Sequence, residues 1–229
     1  MYEGVHAHPD GESTVARMAA TAAEMGYAGI VVRNHGDALP EYDPDRIREA
    51  YDVDVVVGVE VRADDASRAS GFVGNHRADK TVVAVHGGAL NRFAVEQAAV
   101  DVLAHPMAGG DFNHVLAKAA RENGVRVEFD LSRVLREDGG PRVRAIGDLR
   151  KLRDIVERYD APYVVSANPR SHLQMRAPRE LRAVGEAIGF SGDQVERGLR
   201  EWGRLTERNR ERASDDYLEP GVREGRYTE

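Results

Sequence analysis

Cysteine is absent from the 229-residue chain, which excludes disulfides, thiolate metal ligands and a cysteine nucleophile. That absence fits a reducing cytoplasm, the expected location. No apolar stretch approaches the roughly 18 residues of a membrane span, and the N-terminus lacks a charged-then-apolar signal pattern. A membrane partner is therefore not expected. Lysine is scarce: only Lys80, Lys118 and Lys151 stand among 32 basic residues, against 39 acidic ones. A GC-rich genome and a salt-rich cytosol each account for that balance, and the two are compatible. Aromatic residues make up 6% with one tryptophan, and Trp202 reads as a core anchor in preference to a base-stacking platform. The sequence also lacks a G-x-S-x-G elbow, a P-loop and a dinucleotide fingerprint.

The net charge of −7 argues against simple electrostatic capture of nucleic acid. In about 1 M salt the Debye length is roughly 3 Å, so recognition there depends on close fit and bidentate arginine contacts.

What is present is a repeated punctuation. Seven short apolar runs each end in polar residues: Val5 before His6 and His8, Ile30 to Val32 before Arg33, Asn34 and His35, and Val55 to Val59 before Glu60 and Arg62. The others are Val82 to Val85 before His86, Val102 to Ala104 before His105, Val125 to Val127 before Glu128 and Asp130, and Tyr163 to Val165 before Ser166 and Asn168. In a closed parallel barrel such ends gather on one face, where sites are built.

Helical patterns separate the runs. Ser13 to Met25 reads as a helix capped by Ser13 and stopped by Gly26. Pro44 to Ala50 reads as a short helix capped by Asp43. Further helices are expected at Asp64 to His76, Arg92 to Ala99, Asn113 to Asn123, Val143 to Tyr159 and Pro178 to Ile188. Alternating strands and helices imply parallel pairing through right-handed crossovers. The expected fold class is thus α/β, a TIM-type barrel of about seven or eight parallel strands ringed by helices. The eighth strand has no assigned place. Residues 1–213 read as a single barrel domain. Its last helix, 193–213, puts Val195, Leu199, Trp202 and Leu205 on one stripe and is expected on the barrel exterior. Residues 214–229 read as a flexible tail.

Two histidines spaced as His6-Ala7-His8 on a strand end can face one metal ion. With Glu60, His86, His105 and Glu128, their order resembles the polymerase-and-histidinol-phosphatase type of metal-dependent phosphoesterase, whose HxH, Glu, later His and final Asp-x-His build a multinuclear site. That resemblance implies a related barrel. It also gives an alternative function, a phosphoesterase using His6, His8, Glu60 and His105. The departures weigh against it: Arg33-Asn34-His35 stands where an Asp-His pair is expected, and Ser166-Ala167-Asn168-Pro169 where Asp-x-His is expected. A multinuclear site needs carboxylates to neutralise its cations, so neither a working metallohydrolase nor a bound metal is expected in this chain.

The segments GVHAHPDG, GYAGIVVRNHGD, GVEVRA, TVVAVHGG, AVEQAAVDVLAHP, NHVLAKAARENGVRVEFDLSRVL and VVSANPRSHLQMRAPREL follow in order over roughly residues 1 to 190. Together they resemble the archaeal and eukaryotic ribonuclease P protein component 3 family. Within the altered late motif Gln174-Met175-Arg176-Ala177-Pro178, Arg176 and Pro178 match that family. The resemblance implies a barrel-shaped subunit of the ribonucleoprotein endonuclease that removes the 5′ leader of precursor tRNA. It further implies that the RNA subunit performs the Mg²⁺-dependent hydrolysis, that this chain binds no cofactor, and that its partners are ribonuclease P RNA, protein component 2, other protein subunits and, through the holoenzyme, precursor tRNA. Arg33, Arg62, Arg68, Arg77, Arg92, Arg133, Arg170 and Arg176 are the candidate RNA-binding residues, since a planar guanidinium suits phosphate and stacks on bases.

Overall fold

The computed structural model describes residues 1–109 and 111–214, together with the backbone of 217–219 and 222–223. One sheet contains seven strands in chain order: β1 (Tyr2–Val5), β2 (Gly29–Val32), β3 (Asp54–Val61), β4 (Val82–His86), β5 (Val102–Ala104), β6 (Arg126–Asp130) and β7 (Tyr163–Ser166). Every neighbouring pair is parallel. The crossovers carry α1 (Val15–Glu24), α2 (Pro44–Tyr51), α3 (Ala66–Arg77), α4 (Asn91–Glu96), α5 (His114–Asn123), α6 (Ser132–Arg136) and α7 (Gly139–Tyr159). After β7 come α8 (Pro178–Ile188) and α9 (Gly192–Arg212). No helix among the described residues is long and apolar enough to cross a membrane.

Local chemistry sets most of these boundaries. Asp43 caps α2 by accepting the N–H groups of Asp45 and Arg46, and Pro44 opens it, where a missing N–H costs nothing. Gly124 ends α5 at φ +66°, a conformation that favours glycine. The cap of α1 differs from the expected one: Thr14 takes the Arg17 N–H, and the Ser13 hydroxyl is instead engaged with His172 at 2.9 Å. Helix α6 is one short turn and was not legible in the sequence. Helix α7 begins at Gly139 where Val143 was expected.

Strand residues divide by the two-residue alternation of a pleat. Val31, Val56, Val82, Ala84, Val102, Ala104 and Val164 form one apolar cluster inside the barrel. Their alternates, among them Ile30, Val32, Val55, Val83, Leu103 and Val165, pack under the helices. Trp202 and Leu205 of α9 belong to the inner cluster.

This membership corrects the expectation that α9 packs on the barrel exterior, and it accounts for the missing eighth strand. Among the described residues no ladder joins β1 to β7, and α9 lies along that open seam. The Trp202 indole N–H donates to the Val165 carbonyl at 3.0 Å, taking an acceptor that an eighth strand would have used. Gly198 permits the approach: a Cβ there would stand 2.4 Å from Val165 Cγ2 and 2.9 Å from its backbone nitrogen. Beside α9 the Glu3 carboxylate accepts the Ser166 hydroxyl at 2.5 Å and the Ala167 N–H at 3.2 Å. At the N-terminal end of the barrel, Asn209 donates to the Thr81 carbonyl and to Asp101, which also receives Arg208.

The expected flexible tail at 214–229 lies largely outside the described residues. Its described parts are β8 (Tyr217–Glu219) and β9 (Val222–Arg223), which pair antiparallel.

Candidate functional site

The inward alternation that fills the barrel with valine continues into polar residues at its C-terminal end. Beyond Gly4, Val31, Gly58 and Ala84 the inward positions are His6, Arg33, Glu60 and His86, while β6 contributes Glu128 and Asp130. His105 breaks the alternation. Its φ of +50° is uncommon for a non-glycine residue, and its ring Nδ1 lies 2.9 Å from Asp130 Oδ2.

Arg33 occupies the centre and is wholly buried. Its guanidinium reaches Glu60 Oε2 at 3.0 Å and Glu128 Oε1 at 2.5 Å, with a second contact to Glu128 Oε2 at 3.3 Å. Beneath it the Trp202 ring centroid lies 5.5 Å from the guanidinium carbon. Gly4 makes room, since a Cβ there would stand 2.9 Å from Arg33 Nε and 3.2 Å from Trp202. Burial opposes charge on Glu60, but Arg33 and the facing imidazoles hold its carboxyl well below the usual range. For Glu128 burial prevails over the attraction of Arg33 and His105, and its pKa is raised. The difference follows from neighbours: histidines surround Glu60, whereas Glu128 has the Asp130 charge close by.

Histidines form an arc around Glu60. His86 Nδ1 lies 2.7 Å from Glu60 Oε1, and the Nε2 atoms of His6, His35 and His105 stand 3.4–3.5 Å from its oxygens. The rings follow one another with centroids 5.0, 6.0 and 4.6 Å apart. On the outer side Asp10 accepts from Nδ1 of both His6 and His35 at 2.7 Å. Burial works against the Asp10 charge, yet these bonds pull its carboxyl far below the usual range. Burial likewise opposes a charge on His105, and the Asp130 bond with the Glu60 charge outweighs it, raising the imidazole to about 9.

The residues of the phosphoesterase alternative do not converge. His8 lies beyond the end of β1, is exposed, and its ring has no partner among the described residues, while His6, Glu60 and His105 share the buried cluster. Asn34 acts as a loop clamp, accepting the Ala7 N–H and donating to the Ala7 and Ala38 carbonyls. Asp10 is a participant that sequence reasoning missed, and His35 one whose place it did not assign. The available signal was spacing, because Asp10 follows His6 by four residues within the His-Pro-Asp-Gly turn. Among the described residues, two side-chain groups bring three possible metal donors together: His6, Asp10 and His35, and His35, Glu60 and His86.

Seven of the eight candidate RNA-binding arginines lie outside this core, at different ends of the barrel. Arg62, Arg68, Arg92, Arg133, Arg170 and Arg176 follow the C-terminal ends of strands and sit around the mouth. Arg62 faces Asp37 at 3.5 Å, Arg68 pairs with Asp64, Arg92 with Glu96 and Arg133 with Glu137, all half or more exposed or nearly so. Arg170 binds Asp10 Oδ1 at 2.8 Å, and Arg176 donates to the Leu173 and Met175 carbonyls. Two of the expected set stand apart from the rim. Arg33 is sealed between two carboxylates, out of reach of any phosphate. Arg77 ends α3 at the opposite face, bound to Asp101 at 2.6 Å and to the Lys80 and Thr81 carbonyls.

Comparison with known proteins gives a consistent picture. The family model for RNase P subunit p30 matches residues 1–214. Ribonuclease P protein component 3 of Haloarcula marismortui is 67% identical over 226 residues, covering 97% of this chain and 96% of that protein. The protein of the same name from Methanosarcina barkeri is 36% identical over 195 residues, covering 83% and 81%. Among solved structures, a chain in the cryo-EM structure of archaeal ribonuclease P with mature tRNA aligns over 100% of both chains with a TM-score of 0.83 and 22% identity. Histidinol phosphate phosphatase of Lactococcus lactis, solved with zinc, L-histidinol and phosphate, aligns over 83% of this chain and 97% of that one with a TM-score of 0.55 and 12% identity. At that identity the likeness is one of fold.

Proposed function

The chain belongs to the RNase P subunit p30 family, and on that premise we propose that it serves ribonuclease P as a subunit without catalytic groups of its own. The holoenzyme removes the 5′ leader of precursor tRNA. In this reading the RNA subunit performs the Mg²⁺-dependent cleavage, and the barrel supports it together with protein component 2. The cysteine-free composition supports a reducing, cytoplasmic setting.

One observation carries the non-catalytic role. Arg33 lies wholly buried between Glu60 and Glu128, so a fixed guanidinium takes up the two carboxylates that a hydrolase would need for cations. What the rim offers instead is a set of arginines, four of which, Arg62, Arg68, Arg92 and Arg133, stand in exposed ion pairs. Such pairs contribute about 0–1 kcal/mol each, so an RNA phosphate can displace the carboxylate partner at small cost. Arg62, Arg68, Arg92, Arg133, Arg170 and Arg176 are the proposed contacts, bonding phosphate in bidentate fashion where salt screens longer-range attraction.

Reconstitution tests the reading. Precursor-tRNA cleavage by the RNA and the remaining protein subunits is measured with and without this chain at several KCl concentrations. A lower rate in its absence is expected, and an unaltered rate at every concentration defeats the proposal.

A further inference from the structure

Helix α3 buries Ala69 and Val73 in the core and turns a different face outward. Arg68, Gly71, Phe72 and Asn75 follow one another at helical spacing and share that outer side. With Arg62 and His86 they line a groove of about 790 Å³. A second hollow of about 350 Å³ lies against Gly36, Asp37, Val61 and His76, and Arg62 and Phe72 line both.

Of the five phenylalanines, Phe72 alone is left exposed, at 45%. Among the described residues no other ring and no cation stacks on its face. A lone exposed apolar side chain is ordinary, but this one stands between two arginines. Arg62 and Arg68 are both more than half exposed, and their partners Asp37 and Asp64 are more exposed still. Glycine beside the ring points the same way. Gly71 and Gly74 interrupt α3, although glycine is a poor helix former, and a Cβ at either would meet nothing within 4 Å. No contact inside the chain calls for them, whereas a flat group laid against the helix does.

An aromatic face beside guanidinium groups is suited to an unpaired nucleotide, whose base stacks on the ring while its phosphate meets the charge. Paired bases already stack on one another, so a duplex offers Phe72 nothing. We propose that this groove holds one unpaired nucleotide of ribonuclease P RNA, its base on the Phe72 ring and its phosphate between Arg62 and Arg68. The Asn75 side chain bonds no other described residue and carries both donors and an acceptor for the edge of that base. Stacking does not depend on counterions, so it persists where salt screens the arginines. The inference rests on the chain serving ribonuclease P, and it adds that one contact of the rim is to a single-stranded base.

The test uses the full chain with ribonuclease P RNA and the other protein subunits, read by RNA titration at several KCl concentrations and by chemical probing at single-nucleotide resolution. Phe72→Ala, with its fold checked by Tm, should weaken RNA binding about fivefold to a hundredfold. The salt slope should stay as it was, since no phosphate contact is lost, and one unpaired nucleotide should become reactive to the probe. Phe72→Leu, apolar but without a ring face, should behave as Phe72→Ala does, and Phe72→Tyr should bind as the unaltered chain does. Unchanged affinity and protection in Phe72→Ala overturns the stacking proposal and leaves the subunit reading standing. An equal loss in Phe72→Tyr overturns it too. If Phe72→Ala instead weakens association with the other protein subunits when RNA is left out, the groove belongs to a protein and the proposal falls. An unaltered chain that neither protects the RNA nor changes precursor-tRNA cleavage overturns both readings together.

Discussion

The Trp202 indole reaches the Val165 carbonyl from within the seam between β7 and β1, at 3.0 Å. That bond and the packing of Trp202 with Leu205 against the inward valines take the place of a strand. Trp202→Ala should destabilise the fold by about 3–5 kcal/mol, read from the midpoint of urea unfolding. A loss below about 1 kcal/mol would mean that α9 is dispensable for closure.

Arg33 neutralises two buried carboxylates. Its replacement by methionine removes the guanidinium from between them, at a cost of about 3–5 kcal/mol. Arg33→Met combined with Glu128→Gln should recover part of that loss, since one of the stranded charges is gone. A double variant no more stable than Arg33→Met would argue against the charge account.

Glu3 gives the fold a pH dependence. Burial is the leading effect, pushing its carboxyl from the ordinary 4.5 up to about 7 despite the bonds from Ser166 and Ala167. A carboxyl whose folded pKa exceeds its unfolded one holds its proton more tightly in the native state. Its contribution therefore falls as pH rises from 4.5 through 7, and the full cost, about 3 kcal/mol, is present above that range. Relative to the unaltered chain, Glu3→Gln should gain stability over this interval, measured by denaturant unfolding at successive pH values. A difference that stays constant with pH would refute the assignment.

For RNA, position around the barrel separates the arginines. Alanine at Arg62, Arg68, Arg92 and Arg133 together should reduce the footprint on ribonuclease P RNA and lower the salt slope of binding by about one unit per lost phosphate contact. Arg77→Ala should leave the footprint intact while lowering Tm, because its partners are Asp101 and two carbonyls of the barrel floor. An unaltered footprint in the fourfold variant would show that the mapping of the rim is wrong.

The seven strands were legible because both faces of a covered parallel strand are apolar, so runs such as Val53 to Val61 announce themselves. Their polar ends were legible for the same reason: Glu60 interrupts valine. The role of α9 was not, because an amphipathic stripe of Val195, Leu199, Trp202 and Leu205 is the same whether it covers a barrel or enters its seam. Arg33 misled in a related way. A charged residue at a strand end looks available until its alternation places it inward between Glu60 and Glu128. Asp10 escaped notice since a turn acid is ordinary, and only the fold sets it against His35, 25 residues away.

Because Gly192–Arg212 supplies the closing element, completion of the barrel awaits synthesis of a segment that follows all seven strands. A nascent chain halted near residue 190 would present an open sheet, with Val31, Val56 and Val164 uncovered and ready to adhere to other apolar surfaces. Translation order thus leaves the sealing of the barrel to a helix made after every strand it joins.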